Sequence, residues 1–321
     1  MLKQLDAWLE SPEKGPFKSV AEVFKGVAQV DFMPSVLCGV FFVAALFAAG
    51  WEYGLYGLLG TAVSTATAYL LGADKGRIKA GLEGFNGTLV ATGYAAFLGA
   101  DHPSTVLLSI GGCITVVVVT SALANILATW NLPTFTIPFC IMASAMTIAA
   151  PSFERVWHQG PGLSALSEAS SDATHLSWHD LWHAFFANVS QIFFMPQWYV
   201  GLLFLIGIFV ASWFAGVMAC VGSGVAIFTA WALGSPAAGV EQGLMGYNAV
   251  LVAMALCGVF VKVSGWSFAY AVIGAAAATG LTAAMTNFFD PFGGHTFTWP
   301  FVLTAVAFVA AVPALDRLQR T

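Results

Sequence analysis

The sequence predicts an all-α polytopic membrane protein with ten transmembrane helices in two inverted repeats of five, plus two re-entrant half-helices. Three observations carry that expectation. The chain of 321 residues is 59% hydrophobic and only 8% charged, where a soluble protein carries about 25% charged residues, so it cannot clothe a water-facing surface. It holds several apolar runs of roughly 15–20 residues, close to the length that a helix needs to cross a bilayer core. And it repeats itself: residue n matches residue n+162 without a gap, so that QVDFMP answers QIFFMP, GLEGFNGTLV answers GLMGYNAVLV and TFTIPF answers TFTWPF. With 11 Lys+Arg against 16 Asp+Glu, the chain has no basic excess to hold a nucleic-acid backbone, and no nucleic-acid partner is expected.

The elements follow in order. Residues 1–16 are charged and amphipathic, without the apolar core of a secretory signal, and are expected to stay on the mature chain as a cytoplasmic segment. The first half, 17–150, opens with a helical stretch at 17–30 that is too short or too polar to span, and continues with five apolar segments at about 35–50, 53–72, 85–100, 105–128 and 137–150. Residues 151–178, rich in Ser, Gly, Pro and His, read as an extracytoplasmic linker. The second half, 179–315, repeats the plan, with its own short stretch at 179–192, and 316–321 is a cytoplasmic tail. Five crossings per half is an odd number, which inverts the second copy in the membrane. Basic residues agree: with the N-terminus inside, every Lys and Arg except Arg155 falls on the cytoplasmic side. The two short stretches are half-helices, permitted at membrane depth only where protein or water covers them. The five cysteines sit in apolar runs without a CxxC pair and serve as small packing residues.

The repeated polar residues are neutral: Gln29 and Gln191, Asn86 and Asn248, Asn125 and Asn287, Thr136 and Thr298. No ionisable pair recurs at depth, which argues against a proton relay or ion pump. Uncharged donors and acceptors suit an uncharged polar solute. Gln29 and Gln191 fall at the C-terminal ends of the half-helices, where unpaired backbone carbonyls gather, and Phe32 and Phe194 follow three residues later. Phe85 with Leu89, and Tyr247 with Leu251, are four residues apart and share a helix face. The plainer alternatives are caps for the glutamines, packing for the apolar residues and back-bonding to their own helix for the threonines.

NLPTFTIPF and TFTWPF, GFNGTLV and GYNAVLV, and the paired glutamines together resemble the urea transporter family over about residues 17–315. The resemblance implies ten membrane helices with two half-helices, a homotrimer in which each protomer has its own pore, and passive passage of urea through a narrow slot. It implies that Gln29 and Gln191 form an acceptor ladder and that Phe32, Phe194, Phe85 and Tyr247 flatten the slot. Leu89 and Leu251 would narrow its waist, and Thr136 and Thr298 would line its centre. Tyr247 stands where the family's phenylalanine is expected, and both ladder positions are glutamine, where some bacterial members have one glutamate. The implied partners are urea and the lipid bilayer, the location a bacterial inner (plasma) membrane with both termini cytoplasmic, and no cofactor is called for.

Other classes fit less well. An ammonia channel would offer paired pore histidines and a water channel Asn-Pro-Ala repeats, and neither is present, although another small neutral solute such as a short amide is the standing alternative. An enzyme is not expected, since no intramembrane nucleophile and base stand together. HLSWHDLWH spaces His175, His179 and His183 so that one helix face would hold all three, a pattern for zinc or nickel. The alternative adopted is an interfacial stretch anchored by Trp178 and Trp182, with no metal. His295 is expected to cap a helix near Asp290.

Overall fold

The computed structural model describes Asp6, residues 16–158 and residues 172–321; the first sixteen residues, Asp6 and Pro16 apart, and residues 159–171 of the predicted linker lie outside the described residues. All regular structure among the described residues is helical. The first half contains α1 (Pro16–Ala28), α2 (Val36–Ala49), α3 (Trp51–Leu71), α4 (Lys75–Lys79), α5 (Phe85–Leu98), α6 (Pro103–Ala128) and α7 (Ile137–Ala149). The second contains α8 (Trp178–Ser190), α9 (Trp198–Ala211), α10 (Trp213–Ala232), α11 (Ala237–Glu241), α12 (Tyr247–Met254), α13 (Gly265–Phe289) and α14 (Trp299–Ala311). Each helix of the second half begins 162 residues after its counterpart, so the sequence repeat is a repeat of structure element by element. The boundaries differ from those expected by a few residues at most.

Composition explains the helices' surroundings. Leu70, Leu107, Trp51, Trp213 and Phe228 are exposed on helices that carry almost no charge, a surface suited to hydrocarbon and not to water. Four described helices are long and apolar enough to cross a bilayer, Trp51–Leu71, Pro103–Ala128, Trp213–Ala232 and Gly265–Phe292. Two bent pairs, α1 with α2 and α8 with α9, turn through 77° and 75° and raise that number to six if each is one span. α7, α12 and α14 are shorter apolar helices. The protein is therefore a multi-pass membrane protein, and length alone falls short of the ten crossings that the sequence suggests.

The chain divides into two compact units, one of Met1–Leu127, Thr136–Pro161 and Ile206–Trp213, the other of Ala128–Phe135, Gly162–Leu205 and Phe214–Thr321. Within the first, α3 and α5 meet through glycine: a Cβ on Gly60 would lie 2.2 Å from the carbonyl oxygen of Gly87, a backbone approach that membrane helices reach with small residues. Ser64 donates to the carbonyl of Cys113 at 3.0 Å and fastens α6 to the same pair. The second unit repeats the approach with Gly222 against α12. α12 departs from its counterpart α5, because the helix is broken at Cys257 and at Gly258, whose φ is +113°. The free cysteines are buried except Cys220, which is half-buried, in keeping with packing roles.

Candidate functional site

Each unit carries one copy of the same arrangement, built where the first helix of its bent pair ends. α1 ends in a 3-10 turn, Gln29–Asp31, and α8 in Gln191–Phe193. Phe32 then turns left-handed with φ +64°, and Phe194 with φ +67°. The amide of Phe32 donates to the carbonyl of Gln29 at 3.0 Å and that of Met33 to Ala28 at 3.1 Å, while Phe194 and Met195 bond Gln191 and Ser190 at 3.0 and 3.2 Å. This is a Schellman closure with phenylalanine where glycine is usual. Two of the terminal carbonyls in each half thus accept a backbone hydrogen bond within the closure. A bulky residue in this backbone region costs on the order of 1–3 kcal/mol and persists where surrounding structure holds it.

The glutamines are pinned. Gln29 donates its side-chain Nε2 to the carbonyl of Ala80 at 2.7 Å, and Gln191 donates to that of Gln242 at 2.9 Å. Ala80 and Gln242 are the C-caps of the short helices α4 and α11, so each glutamine satisfies a carbonyl left over at a helix end. Because the amide is planar, fixing Nε2 on the loop turns Oε1 to the opposite side of the group. Each glutamine's amide nitrogen thus serves the loop and not its own helix end. Gly81 and Gly243, with φ of +79° and +76°, let the loop come this close; a Cβ would lie 2.6 Å from the nitrogen of Gly26 and 2.4 Å from the carbonyl carbon of Ala187 respectively.

The FTxPF elements form the starts of α7 and α14. Thr136 and Thr298 are the N-cap residues, yet neither side chain makes the cap hydrogen bond. That work falls to asparagine from another helix: Oδ1 of Asn86 accepts from the amide of Phe139 at 3.3 Å, and Oδ1 of Asn248 from that of Phe301 at 3.0 Å. With proline at the second helical position supplying no N–H, the borrowed acceptor meets the next donor in line. Thr136 and Thr298 are both buried. Phe135 and Phe297 precede them with φ of +47° and +44°, so four phenylalanines in two repeat-related pairs hold left-handed backbone.

In the second unit Phe194 meets Phe297 edge to face at 6.1 Å. The hydroxyl of Tyr247 donates to the carbonyl of Phe297, which also accepts from Nδ2 of Asn248 at 3.4 Å. The tyrosine hydroxyl is thus tied to backbone. Leu89 and Leu251 are fully buried, and Phe85 and Tyr247 nearly so. Asn125 and Asn287, also repeated, are exposed.

Two features escaped the sequence reading. Phe135 and Phe297 stood in the repeated TFTxPF string, but a left-handed phenylalanine has no signature in composition or spacing. Asp31, the counterpart of Phe193, is fully buried with neither carboxylate oxygen hydrogen-bonded, whereas Phe193 stacks on Phe204 at 4.5 Å. The repeat singles out residues that both halves share, and Asp31 is not one of them. The three histidines are also corrected: α8 starts at Trp178 behind the N-cap Ser177, which leaves His175 outside the helix. His295 lies between helices, 5.7 Å from the ring of Phe297, and Thr298 holds the N-cap position after it.

The family model described as Urea transporter matches residues 20–313. Among characterised proteins the chain is similar to Urea transporter 1 of Capra hircus, 29% identical over 316 residues, which cover 96% of this chain and 80% of the relative. Urea transporter 1 of Ovis aries gives the same identity and coverage, and that of Rattus norvegicus is 28% identical over 300 residues, 93% of this chain and 78% of its own.

Proposed function

The chain belongs to the urea transporter family, transporters and not enzymes, and from that premise we propose that it passes urea passively across the membrane through a narrow slot of aromatic walls and acceptor edges. In this reading Gln29 and Gln191 offer Oε1 to the N–H groups of urea. Phe32, Phe194, Phe85 and Tyr247 cover its flat faces, Leu89 and Leu251 set the narrowest width, and Thr136 and Thr298 line the centre. The observation that carries it is the pinned amide: in both halves Nε2 is committed to a loop carbonyl, at 2.7 and 2.9 Å, beside a phenylalanine fixed by left-handed backbone.

The chemistry follows. Urea is planar and neutral, with four N–H donors along its edges and apolar faces. Stripping its water without replacement would cost several kcal/mol; acceptors at the edges and rings at the faces replace it. An ion would lose far more hydration and meet no opposite charge among the ten residues named for the slot. Passage also demands that each site release as easily as it captures, so binding is weak. We further propose ten crossings in two inverted halves, a homotrimer with a pore in each protomer, and placement in a bacterial inner membrane with both termini cytoplasmic.

Stopped-flow light scattering of liposomes under a urea gradient tests the function. The wild-type chain should shrink or swell them far faster than empty liposomes, and Gln29→Ala and Thr136→Ala should each slow flux about tenfold, the worth of one hydrogen bond to the solute. Correctly folded protein with no flux above the lipid background refutes urea passage and moves the reading to another small neutral solute.

A further inference from the structure

We propose that His179, His183 and Glu241 form a binding site for a divalent zinc-class metal ion at the start of α8. One ligand atom from each of the three lies within 4.8 Å of the others. The two histidines are four residues apart on one helix, the spacing at which neighbouring turns present two imidazoles to one ion. Glu241 reaches them from the last residue of α11. Its Oε1 is 3.6 Å from Nδ1 of His179 and 3.4 Å from Nδ1 of His183.

Those distances separate the two uses of the cluster. They exceed the span of about 2.7–3.2 Å for a good N–H···O hydrogen bond. They are close to the edge of a tetrahedron around zinc, about 3.3–3.6 Å for bonds of 2.0–2.2 Å. Adjustments of a few tenths of an ångström bring three ligands onto one ion, with the fourth position left to water. The rings are already gathered, at 3.9 Å between centroids, and Trp182 and Trp198 shield His183 on its other sides, the kind of apolar shell that holds a ligand ring in place. The alternative, an ion pair between a charged histidine and Glu241, would be worth little at a site this open.

The repeat supplies an internal control. The counterparts of His179, His183 and Glu241 in the first half are Phe17, Ala21 and Lys79. The fold therefore builds the same helix start and the same short helix without any ligand, and the trio is an addition to the second copy. The sequence alone pointed to His175 as the third histidine; the structure substitutes Glu241, which no spacing rule would have supplied. A bound ion would tie α8 to α11, the two elements whose far connection is the bond from Gln191 to the carbonyl of Gln242.

The test is equilibrium dialysis of the full chain, free of any histidine tag, in detergent micelles against Zn2+ with Mg2+ in excess. One zinc per chain is expected, with affinity falling at least tenfold in His183→Ala and in Glu241→Gln and staying unchanged in His175→Ala. Co2+ in place of Zn2+ should give the intense visible absorption of four-coordinate cobalt, lost in Glu241→Gln. A monodisperse wild-type chain that takes up no zinc, or zinc retained in both ligand variants, overturns the proposal. Neither readout depends on urea flux, so the site and the transport reading stand or fall separately.

Discussion

Tyr247 shows how a side chain's partner can lie beyond the reach of a sequence. Its equivalence with Phe85 was legible from the repeat, but its hydroxyl, a natural candidate for altering preference among amides, is given to the carbonyl of Phe297. Tyr247→Phe is therefore expected to lower thermal stability by a few degrees, for the loss of about 1 kcal/mol, since Asn248 still serves that carbonyl. The ratio of urea to formamide flux should stay within about twofold; a larger change would mean that the hydroxyl meets the solute. The glutamines were legible for a different reason: two copies in register left little room for coincidence. What the sequence could not supply was the direction of their amides, because the partners, Ala80 and Gln242, lie 51 residues away and contribute only backbone. Backbone acceptors have no side chain to betray them.

At the scale of elements, helix existence was readable nearly throughout, since uninterrupted apolar runs between glycines and prolines admit few other readings. The helices at the start of each half were readable too, each preceding a QxxFMP string, and so was the break that follows them. The short helices α4 and α11 were not anticipated: five residues leave no periodicity to detect. Yet these positions matter to the site, because their C-cap carbonyls hold the glutamines. Two glycine substitutions separate that role from mere turn strain. Gly72 and Gly81 both have positive φ, but a Cβ at Gly72 meets nothing within 4 Å, whereas one at Gly81 presses on the backbone of Lys25 and Gly26. Gly72→Ala should cost only the strain of a left-handed alanine, roughly 1–2 kcal/mol, and leave urea flux within about twofold. Gly81→Ala must push the loop off α1 and carry the Ala80 carbonyl away from Gln29. Its flux should drop at least fivefold in protein that still elutes as one species, and equal flux in the two variants would show that the pinned amide does not matter.

For the whole molecule, the repeat of helices at a constant offset was visible in the sequence, while the number of crossings was not settled by helix length, because the short apolar helices fall below the span of a bilayer. The proposed opposite orientation of the halves makes a direct prediction. Lys75→Cys and Ala237→Cys, at the matching starts of α4 and α11, should react with a membrane-impermeant maleimide from opposite faces in sealed vesicles; labelling from one face would refute inversion. The left-handed phenylalanines also bear on how such a molecule can change over generations. Glycine, asparagine and aspartate are at ease with positive φ, and none of them carries a ring. At Phe32 and Phe194, then, a mutation to any of these three relaxes the chain and strips an aromatic face, and in the proposed slot drift toward that more comfortable backbone is drift toward a wider, less discriminating passage. In that reading, selection on permeation has to be renewed at two codons that folding by itself would let go.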